Sequence, residues 1–305
     1  MKQPTNLLEA IRYFSDPDVA TEFVATLRWP DGPVCPRCGA TEHSYLSTRR
    51  IWKCKSCKRQ FSVKLGTIFE DSALGLDKWL PAIWLAANSK NGISSHELAR
   101  SLGVTQKSAW FMLHRIRLAM QTGGFDKLSG EIEIDETFIG GKARNMHRDA
   151  RARRIHGTGI MDKTAILGIR ERGGEIRAAV IPRVDKSAIY PHVYGNVERG
   201  SRLYTDTHNS YTALNGDFSH ETVDHAQAYV VGQVHTNGLE NFWSLLKRGL
   251  HGTYVSVQPF HLFRYLDERV FTYNLRDLTD FGRFAYVLNA AAGRRLTYAE
   301  LTGHR

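Results

Sequence analysis

The spacing of apolar residues predicts two short helices at the start of the chain. Leu7, Ile11 and Phe14 recur at helical intervals, and a second apolar set follows Pro17. Because proline cannot continue a helix, we expect the break between the two helices near this residue. The turn-forming residues 29–33 then close this segment and open a separate module.

Residues 76–120 carry helical periodicity, with breaks near residues 91–92 and at Gly103. Three helices joined by short turns, with a glycine in the second turn and Thr105 capping the third helix, are typical of a helix-turn-helix. Such a third helix presents its first residues to base edges or phosphates, here Gln106, Lys107 and Ser108. The alternative is a helical linker packed on the next domain.

Beyond residue 125 the period changes from that of helices to that of strands. Residues 131–135 alternate between acidic and apolar side chains, so Asp135 lies on the face opposite Ile132 and Ile134. A row of acids on one face requires either solvent or a cation. Further strands are expected at 163–170, 175–182, 201–206 and 220–225, with a helix at 187–197.

Residues 235–249 predict an amphipathic helix. Its apolar stripe is formed by Leu239, Phe242 and Leu246. Glu240 and Lys247 lie two turns apart on another face. If Asn237 is the N-cap, Glu240 has a structural interpretation as part of a capping box; the alternative is a catalytic role.

The order of strand, strand, strand, helix, strand, short helix, strand and helix fits an α/β domain of the ribonuclease H type. In such a mixed sheet Asp135 on the first strand and Asp206 at the end of the fourth lie side by side, and Glu240 on the following helix completes the cluster. Like charges at this distance are stable when divalent cations neutralise them, and carboxylates favour Mg²⁺ or Mn²⁺. Two such ions can activate the attacking oxygen and stabilise the leaving oxygen at a phosphate.

All four cysteines lie in one short segment with the spacing C-x2-C-x15-C-x2-C; they are Cys35, Cys38, Cys54 and Cys57. Two such knuckles form a tetrahedral thiolate cage typical of structural Zn²⁺. Disulfides are disfavoured in the cytoplasm, and inert buried thiols do not require regular spacing. Because four protein ligands leave no open coordination position, this zinc would hold the fold and perform no chemistry.

The charge balance favours a polyanionic partner, since Lys and Arg number 41 and Asp and Glu number 31, a net charge of +10. The basic tract at 142–154, which includes Arg144 and Arg148, lacks apolar periodicity. We interpret it as a loop that orders on DNA, with a solubilising insertion as the alternative. No segment suits a membrane span or a signal region, so we expect a cytoplasmic, nucleoid-associated protein with no membrane partner.

Four further motifs accompany the cysteine ribbon. They are Gly130-Glu-Ile-Glu-Ile-Asp135-Glu-Thr-Phe-Ile-Gly-Gly-Lys142, Tyr204-Thr-Asp206-x-x-x-x-Tyr211, His235-Thr-Asn237-x-x-Glu240-x-Phe-Trp-x-x-x-Lys247-Arg248, and Arg264-Tyr-Leu-Asp-Glu268 with Tyr273-Asn274-x-Arg276. Together they resemble the DDE transposases of insertion sequences, and within them the zinc-ribbon, ISXO-like group. The resemblance covers nearly the whole chain.

This resemblance implies that Asp135 and Asp206 are metal ligands and that Lys247, with Arg248 beside it, contacts the DNA of the element's ends. Members of the group carry an acid or an asparagine at the third position, and this chain offers both Glu240 and Asn237. We favour Glu240, because a carboxylate binds Mg²⁺ better than an amide does. Asn237 stays open as a ligand or as the N-cap.

The sequence therefore predicts a DNA transposase that binds insertion-sequence ends as a homo-oligomer on double-stranded DNA and catalyses metal-dependent cleavage and strand transfer. A DNA-binding regulator with an inert catalytic domain and a stand-alone nuclease of the ribonuclease H type are the alternatives. The expected parts are N-terminal helices (1–30), a zinc ribbon (31–66), a helix-turn-helix region (67–122), the catalytic α/β domain (128–290) and a C-terminal tail (291–305).

Overall fold

The computed structural model describes residues 3–124, 126–141, 147–149, 152, 163–207, 209–223 and 235–303. The chain divides into two compact units, one of residues 1–121 together with 275–305 and one of residues 122–274. Within the described ranges, none of the helices has the length and apolar character that crossing a membrane requires. Helices and strands are numbered below in chain order.

The helices of the first unit come from both ends of the chain. They are α1 (Leu7–Phe14), α2 (Pro17–Arg28), α3 (Leu76–Asn88), α4 (Ser95–Leu102), α5 (Gln106–Ala119), α9 (Asp280–Asn289) and α10 (Tyr298–Thr302). Asp16 caps α2 by accepting hydrogen bonds from the backbone N–H groups of Asp18 and Val19, and Pro17 occupies the first turn. The predicted break between the first two helices is therefore confirmed.

Helix α9 packs against helices from the other end of the chain. The ring centroid of Phe284, a fully buried residue, lies 5.5 Å from that of Phe14, 6.3 Å from that of Phe23 and 5.3 Å from that of Trp84. Our expected boundary of the α/β domain at residue 290 differs from this arrangement, because the second unit ends at Asn274. Periodicity reveals the helix, but only long-range contacts reveal which core it joins.

A small antiparallel sheet carries the cysteine-rich module. Its strands are β1 (His43–Leu46), β2 (Ile51–Cys54) and β3 (Gln60–Phe61), in that order across the sheet. Trp52 is buried, stacks on Phe61 at 5.9 Å between centroids, and meets Trp29 edge-on at 5.4 Å. This aromatic cluster is the module's own small core.

The second unit is built on a five-stranded mixed sheet of order β6-β5-β4-β7-β8. Its strands are β4 (Glu131–Ile139), β5 (Thr164–Glu171), β6 (Ile176–Ile181), β7 (Arg202–Asp206) and β8 (Ser219–Val223). The first three strands form an antiparallel meander, and β7 and β8 continue the sheet in parallel with β4. The predicted strand order and the mixed α/β class agree with this sheet.

Helices cover both faces of the large sheet. They are α6 (Lys186–Asn196), α7 (Asn237–Gly249) and α8 (Leu262–Asn274). Ile132 and Ile134 of β4 join one core with residues of α6, whereas Leu239 and Phe242 of α7 belong to a second core with residues of α8. The alternation of β4 therefore points its apolar side chains to α6 and its acids to α7.

Candidate active site and metal centres

Two parallel strands bring the predicted aspartates together at one edge of the sheet. Strand β4 pairs with β7 so that Glu133 lies opposite Tyr204, and extending this register by two residues sets Asp135 beside Asp206. Carboxylate oxygens of Asp135, Glu136 and Asp206 all lie within 4.8 Å of one another. These three side chains form a cluster that could hold a cation.

Glu136 is the member of this cluster that our sequence analysis did not select. Strict alternation places it on the face opposite Asp135, but at the end of the shared β4–β7 ladder both carboxylates reach Asp206. Its Oε1 atom is buried, as is the hydroxyl of Tyr211, and neither atom has a hydrogen-bond partner among the described residues. In the sequence, the position of Glu136 directly after Asp135 was the feature that could have indicated its place in the cluster.

Burial and mutual repulsion raise the pKa values of two of these carboxyls. Burial is the main cause that raises the pKa of Asp135 to about 6, with the charges of Asp206 and Glu240 adding to it. Burial likewise raises the pKa of Glu136 to about 7, with the charges of Asp206 and Asp135 adding to it. The cluster is therefore a poor place for negative charge unless a cation enters it.

Helix α7 carries Glu240 past this cluster. Glu240 is exposed and does not belong to the group of oxygens within 4.8 Å among the described residues, although its charge contributes to the raised pKa of Asp135. Asn237, the first residue of the helix, is also exposed. Both candidates for the third position thus lie exposed on the first turn of α7.

The start of α7 corrects our interpretation of its cap. The N-cap is Thr236 and not Asn237, and the Thr236 side chain makes no cap hydrogen bond. Glu240 is therefore the fourth helical residue and does not form a capping box, because its own N–H already bonds to the Thr236 carbonyl at 3.0 Å. The capping-box interpretation required the Glu240 carboxylate to take part in the cap, and it does not.

Trp243 joins α7 directly to the acidic cluster. Its indole Nε1–H donates a hydrogen bond of 2.9 Å to Oδ2 of Asp135. The ring packs closely against β5 because residue 168 is glycine: a Cβ atom there would lie 2.6 Å from Trp243 and 2.9 Å from Leu239. This contact fixes both the orientation of Asp135 and the height of α7 above the sheet.

The four cysteines converge as their spacing predicts. Their sulfur atoms lie within 4.8 Å of one another, with Sγ of Cys35 3.8 Å from that of Cys57 and Sγ of Cys38 3.6 Å from that of Cys54. None of them forms a disulfide. The backbone N–H of Cys57 is the main cause that lowers the pKa of Cys54 to about 6, which favours the thiolate that a metal binds. The arrangement is that of a four-thiolate metal site.

The residues predicted to contact DNA belong to three segments: the start of α5, the last turn of α7 and the basic tract at 142–154. Gln106 and Lys107 are exposed at the start of α5, but the Gln106 amide donates to Ser95 at 2.8 Å and Lys107 lies over the Tyr298 ring at 4.9 Å from its centroid. The Ser108 hydroxyl, half-buried beside them, accepts a hydrogen bond from the Thr105 hydroxyl at 2.9 Å. All three side chains thus make contacts within the first unit.

The remaining predicted contacts belong to the second unit. Lys247 is half-buried and Arg248 exposed, both in the last turn of α7, where the helix dipole favours cations. Arg148 of the basic tract is exposed. Arg144 lies outside the described residues.

Comparisons with known proteins agree with these two sites. Residues 127–274 match the family described as ISXO2-like transposase domain, and residues 15–60 match the family described as transposase zinc-ribbon domain. An uncharacterized protein in transposable element ISH50 of Halobacterium salinarum is 30% identical over 253 residues, which cover 79% of this chain and 85% of that protein. An uncharacterized transposase-like protein of Haemophilus influenzae is 30% identical over 101 residues, which cover 33% of this chain and 81% of that protein.

Proposed function

Because this chain belongs to the IS1595 family of insertion-sequence transposases, we propose that it binds the ends of its element and catalyses metal-dependent DNA cleavage and strand transfer. The observation that carries this proposal is the convergence of Asp135, Glu136 and Asp206 in one half-buried cluster. The sheet order, an antiparallel meander continued by two parallel strands, supports a ribonuclease H-like domain.

The chemistry of the cluster fits Mg²⁺ or Mn²⁺. Carboxylates are hard ligands, and the buried Oε1 of Glu136 lacks a hydrogen-bond partner among the described residues, as expected of an atom that awaits a cation. We propose that Asp135, Glu136 and Asp206 hold the catalytic metal. Bound divalent ions supply activation of the attacking oxygen and stabilisation of the leaving oxygen at the phosphate.

The protein's own part in this chemistry is to place the carboxylates. Trp243 holds Asp135 by its indole hydrogen bond, so one oxygen of Asp135 has a fixed direction. Glu240 is exposed and its charge acts on Asp135, so it can complete the metal site or act on the attacking group once DNA is bound. We retain Glu240 as the third acid of the DDE set and Asn237 as its alternative.

Variants of the acids test this assignment. Cleavage is measured on a plasmid that carries the terminal repeats flanking the gene, in the presence of Mg²⁺. We expect Asp135→Asn and Asp206→Asn to abolish cleavage and Glu240→Gln to reduce it by at least 100-fold, while Asn237→Ala stays within a few-fold of the wild type. If Glu240→Gln is active and Asn237→Ala is inactive, the third position has been assigned to the wrong residue.

Recognition of DNA is assigned to the first unit. We propose that its four cysteines hold Zn²⁺ and that α3, α4 and α5 form a helix-turn-helix whose residues Gln106, Lys107 and Ser108 meet the element's ends. Gly103 supports this arrangement, because it ends α4 in the left-handed conformation with φ of 64° and so produces the sharp turn before Thr105. Lys247, Arg248, Arg144 and Arg148 would contact the DNA that enters the active site, and the active assembly is a homo-oligomer on double-stranded DNA.

The division between binding and chemistry is testable with the full-length protein. In buffer without divalent cations, we expect end binding in a gel-shift assay to persist and cleavage to stop. Loss of both together would contradict separate recognition and catalytic parts. Binding without any Mg²⁺-dependent nicking would identify a regulator with an inert domain, and cleavage without joined products would identify a stand-alone nuclease.

A further inference from the structure

Glu133 is a fully buried carboxylate that neither the metal cluster nor the DDE assignment uses. It is two residues before Asp135 on the same face of β4 and has no exposed surface. Its Oε1 atom lies 3.0 Å from Nη1 of Arg170 and 3.1 Å from Nε of Arg172. A buried acid is stable only when cations and hydrogen-bond donors surround it in this way.

The second oxygen of Glu133 caps helix α7. Oε2 accepts a hydrogen bond of 3.0 Å from the backbone N–H of Leu239, the third residue of the helix. This N–H is one of those that a helix leaves unsatisfied at its start, and the Thr236 side chain does not satisfy it. The positive end of the helix dipole also favours the negative charge of Glu133.

Arg172 also holds His235, which lies just before the N-cap of α7. Nη2 of Arg172 donates to the carbonyl oxygen of His235 at 2.9 Å and lies 3.2 Å from its Nδ1. The guanidinium of Arg172 stacks over Tyr204 of β7 at 4.1 Å from the ring centroid. Strands β4, β5 and β7 are thereby tied to the first residues of α7 through one buried cluster.

The space around the cluster leaves little freedom for the helix start. A Cβ atom on Gly238 would lie 2.0 Å from Nη1 of Arg170 and 2.6 Å from Oε2 of Glu133. An added Cβ atom would have to displace the start of α7 or the side chains of Arg170 and Glu133. The start of α7 therefore lies in direct contact with Glu133 and Arg170.

We propose that Glu133 is a positioning residue, which fixes the start of α7 against β4 and so sets Glu240 and Trp243 in place relative to Asp135. This inference rests on the proposed function. The cap joins Glu133 to Leu239, which is adjacent to Glu240. Glu133 is also two positions from Asp135 on β4. A shift of the Glu133 side chain would therefore move Glu240 and Asp135 relative to each other.

Glu133→Gln tests the proposal because it removes the charge and keeps nearly the same shape. The matched control is Glu131→Gln: Glu131 lies on the same face of β4 and also contacts Arg172, at 3.5 Å, but its side chain is 40% exposed and accepts a hydrogen bond of 2.9 Å from the Tyr204 hydroxyl. Cleavage of the repeat-bearing plasmid gives kcat and KM for each variant. We expect kcat of Glu133→Gln to fall about 100-fold with KM within a few-fold, and Glu131→Gln to stay near the wild type.

A spectroscopic measurement separates positioning from a general loss of stability. Trp243 is the only tryptophan in residues 122–274, so its indole N–H resonance, assigned with Trp243→Phe, reports on the Asp135 contact. In folded, metal-free Glu133→Gln we expect this resonance to shift, and Mn²⁺ to broaden it only at several-fold higher concentration than in the wild type. Glu131→Gln should leave both unchanged.

A second variant covers the case in which Glu133→Gln does not fold. Gly238→Ala keeps every charge but disturbs the contact of Glu133 and Arg170 with the start of α7, and we expect the same fall in kcat and the same shift of the Trp243 resonance. Wild-type kcat and an unmoved resonance in folded Glu133→Gln, or in Gly238→Ala, would overturn the positioning role. Absence of cleavage and of Mn²⁺ broadening in the wild type would instead overturn the proposed function.

Discussion

The raised pKa of Glu136 leads to a stability prediction for the metal-free protein. In the folded chain the Glu136 carboxyl is buried beside Asp135 and Asp206, and its pKa rises from an ordinary value of 4.5 to about 7. Glu136→Gln replaces this group by a neutral one of similar size. The variant therefore has the buried contacts of the protonated acid at every pH.

The sign and the size of the effect follow from that pKa. A carboxyl whose folded pKa is raised contributes stability that is full below its unfolded value and is lost as the pH rises through the folded value. One pKa unit corresponds to about 1.4 kcal/mol, so the change from 4.5 to about 7 amounts to roughly 3 kcal/mol in total. We expect about 2 kcal/mol of it to develop between about pH 5 and pH 8.

The assay is urea unfolding of the two proteins at a series of pH values without divalent cations. The protein is labelled with fluorotryptophan, so that the ¹⁹F signal of Trp243 follows the second unit alone. Between about pH 5 and about pH 8, the free energy of unfolding of Glu136→Gln should increase by about 2 kcal/mol relative to that of the wild type. Added Mg²⁺ or Mn²⁺ should reduce this difference at high pH, because a cation stabilises the charged wild-type cluster.

The control is Glu198→Gln, which removes an exposed carboxylate from the same unit. Its stability relative to the wild type should not change systematically with pH over this range. If Glu136→Gln and the wild type differ by a constant amount from about pH 5 to pH 8, Glu136 does not carry an unfavourable buried charge and the reasoning about the cluster is refuted.

Three further substitutions test the surroundings of the two sites. Gly168→Ala should lower the free energy of unfolding by about 1 to 3 kcal/mol in urea, since its Cβ would lie 2.6 Å from Trp243 and 2.9 Å from Leu239; an unchanged midpoint would show that α7 does not press on β5 there. Trp243→Phe removes the indole donor and should raise the pKa of Asp135 above about 6 in a carbon-13 NMR titration of the metal-free protein; a lower value would contradict the contact. Cys54→Ser should reduce the bound zinc measured by elemental analysis and abolish end binding, and full zinc content would exclude Cys54 as a ligand.

Local sequence patterns predicted much of the fold, because side-chain periodicity and residue spacing follow directly from backbone geometry. The strict alternation of residues 131–135 identified β4 and the face on which Asp135 lies, and the spacing of the four cysteines identified their cluster. The order of strands was enough to bring Asp206 beside Asp135, since parallel neighbours align their ends at one edge of a sheet. These features depend on periodicity and on chain order, both of which a sequence displays.

Features that depend on residues distant in the chain could not be predicted from these local patterns. The cap of α7 is a carboxylate from β4, so the helix can begin at Asn237 without a side-chain cap from Thr236, and the expected capping box is absent. Glu136 joins the acidic cluster only because the ladder between β4 and β7 ends there. Alternation alone assigns this residue to the other face.

The three acids on one face of β4 show how surroundings decide what a carboxylate does. Among the described residues, Arg172 pairs with Glu131 and with Glu133, and Glu133 is further enclosed by Arg170 and the start of α7. The ion pairs of the described residues do not reach Asp135, whose hydrogen-bond donor Trp243 is neutral and whose neighbours Glu136 and Asp206 are acids. The charge of Asp135 is thus not neutralised by these ion pairs, so one strand supplies structural acids at 131 and 133 and, under the proposed function, a cation-binding acid at 135.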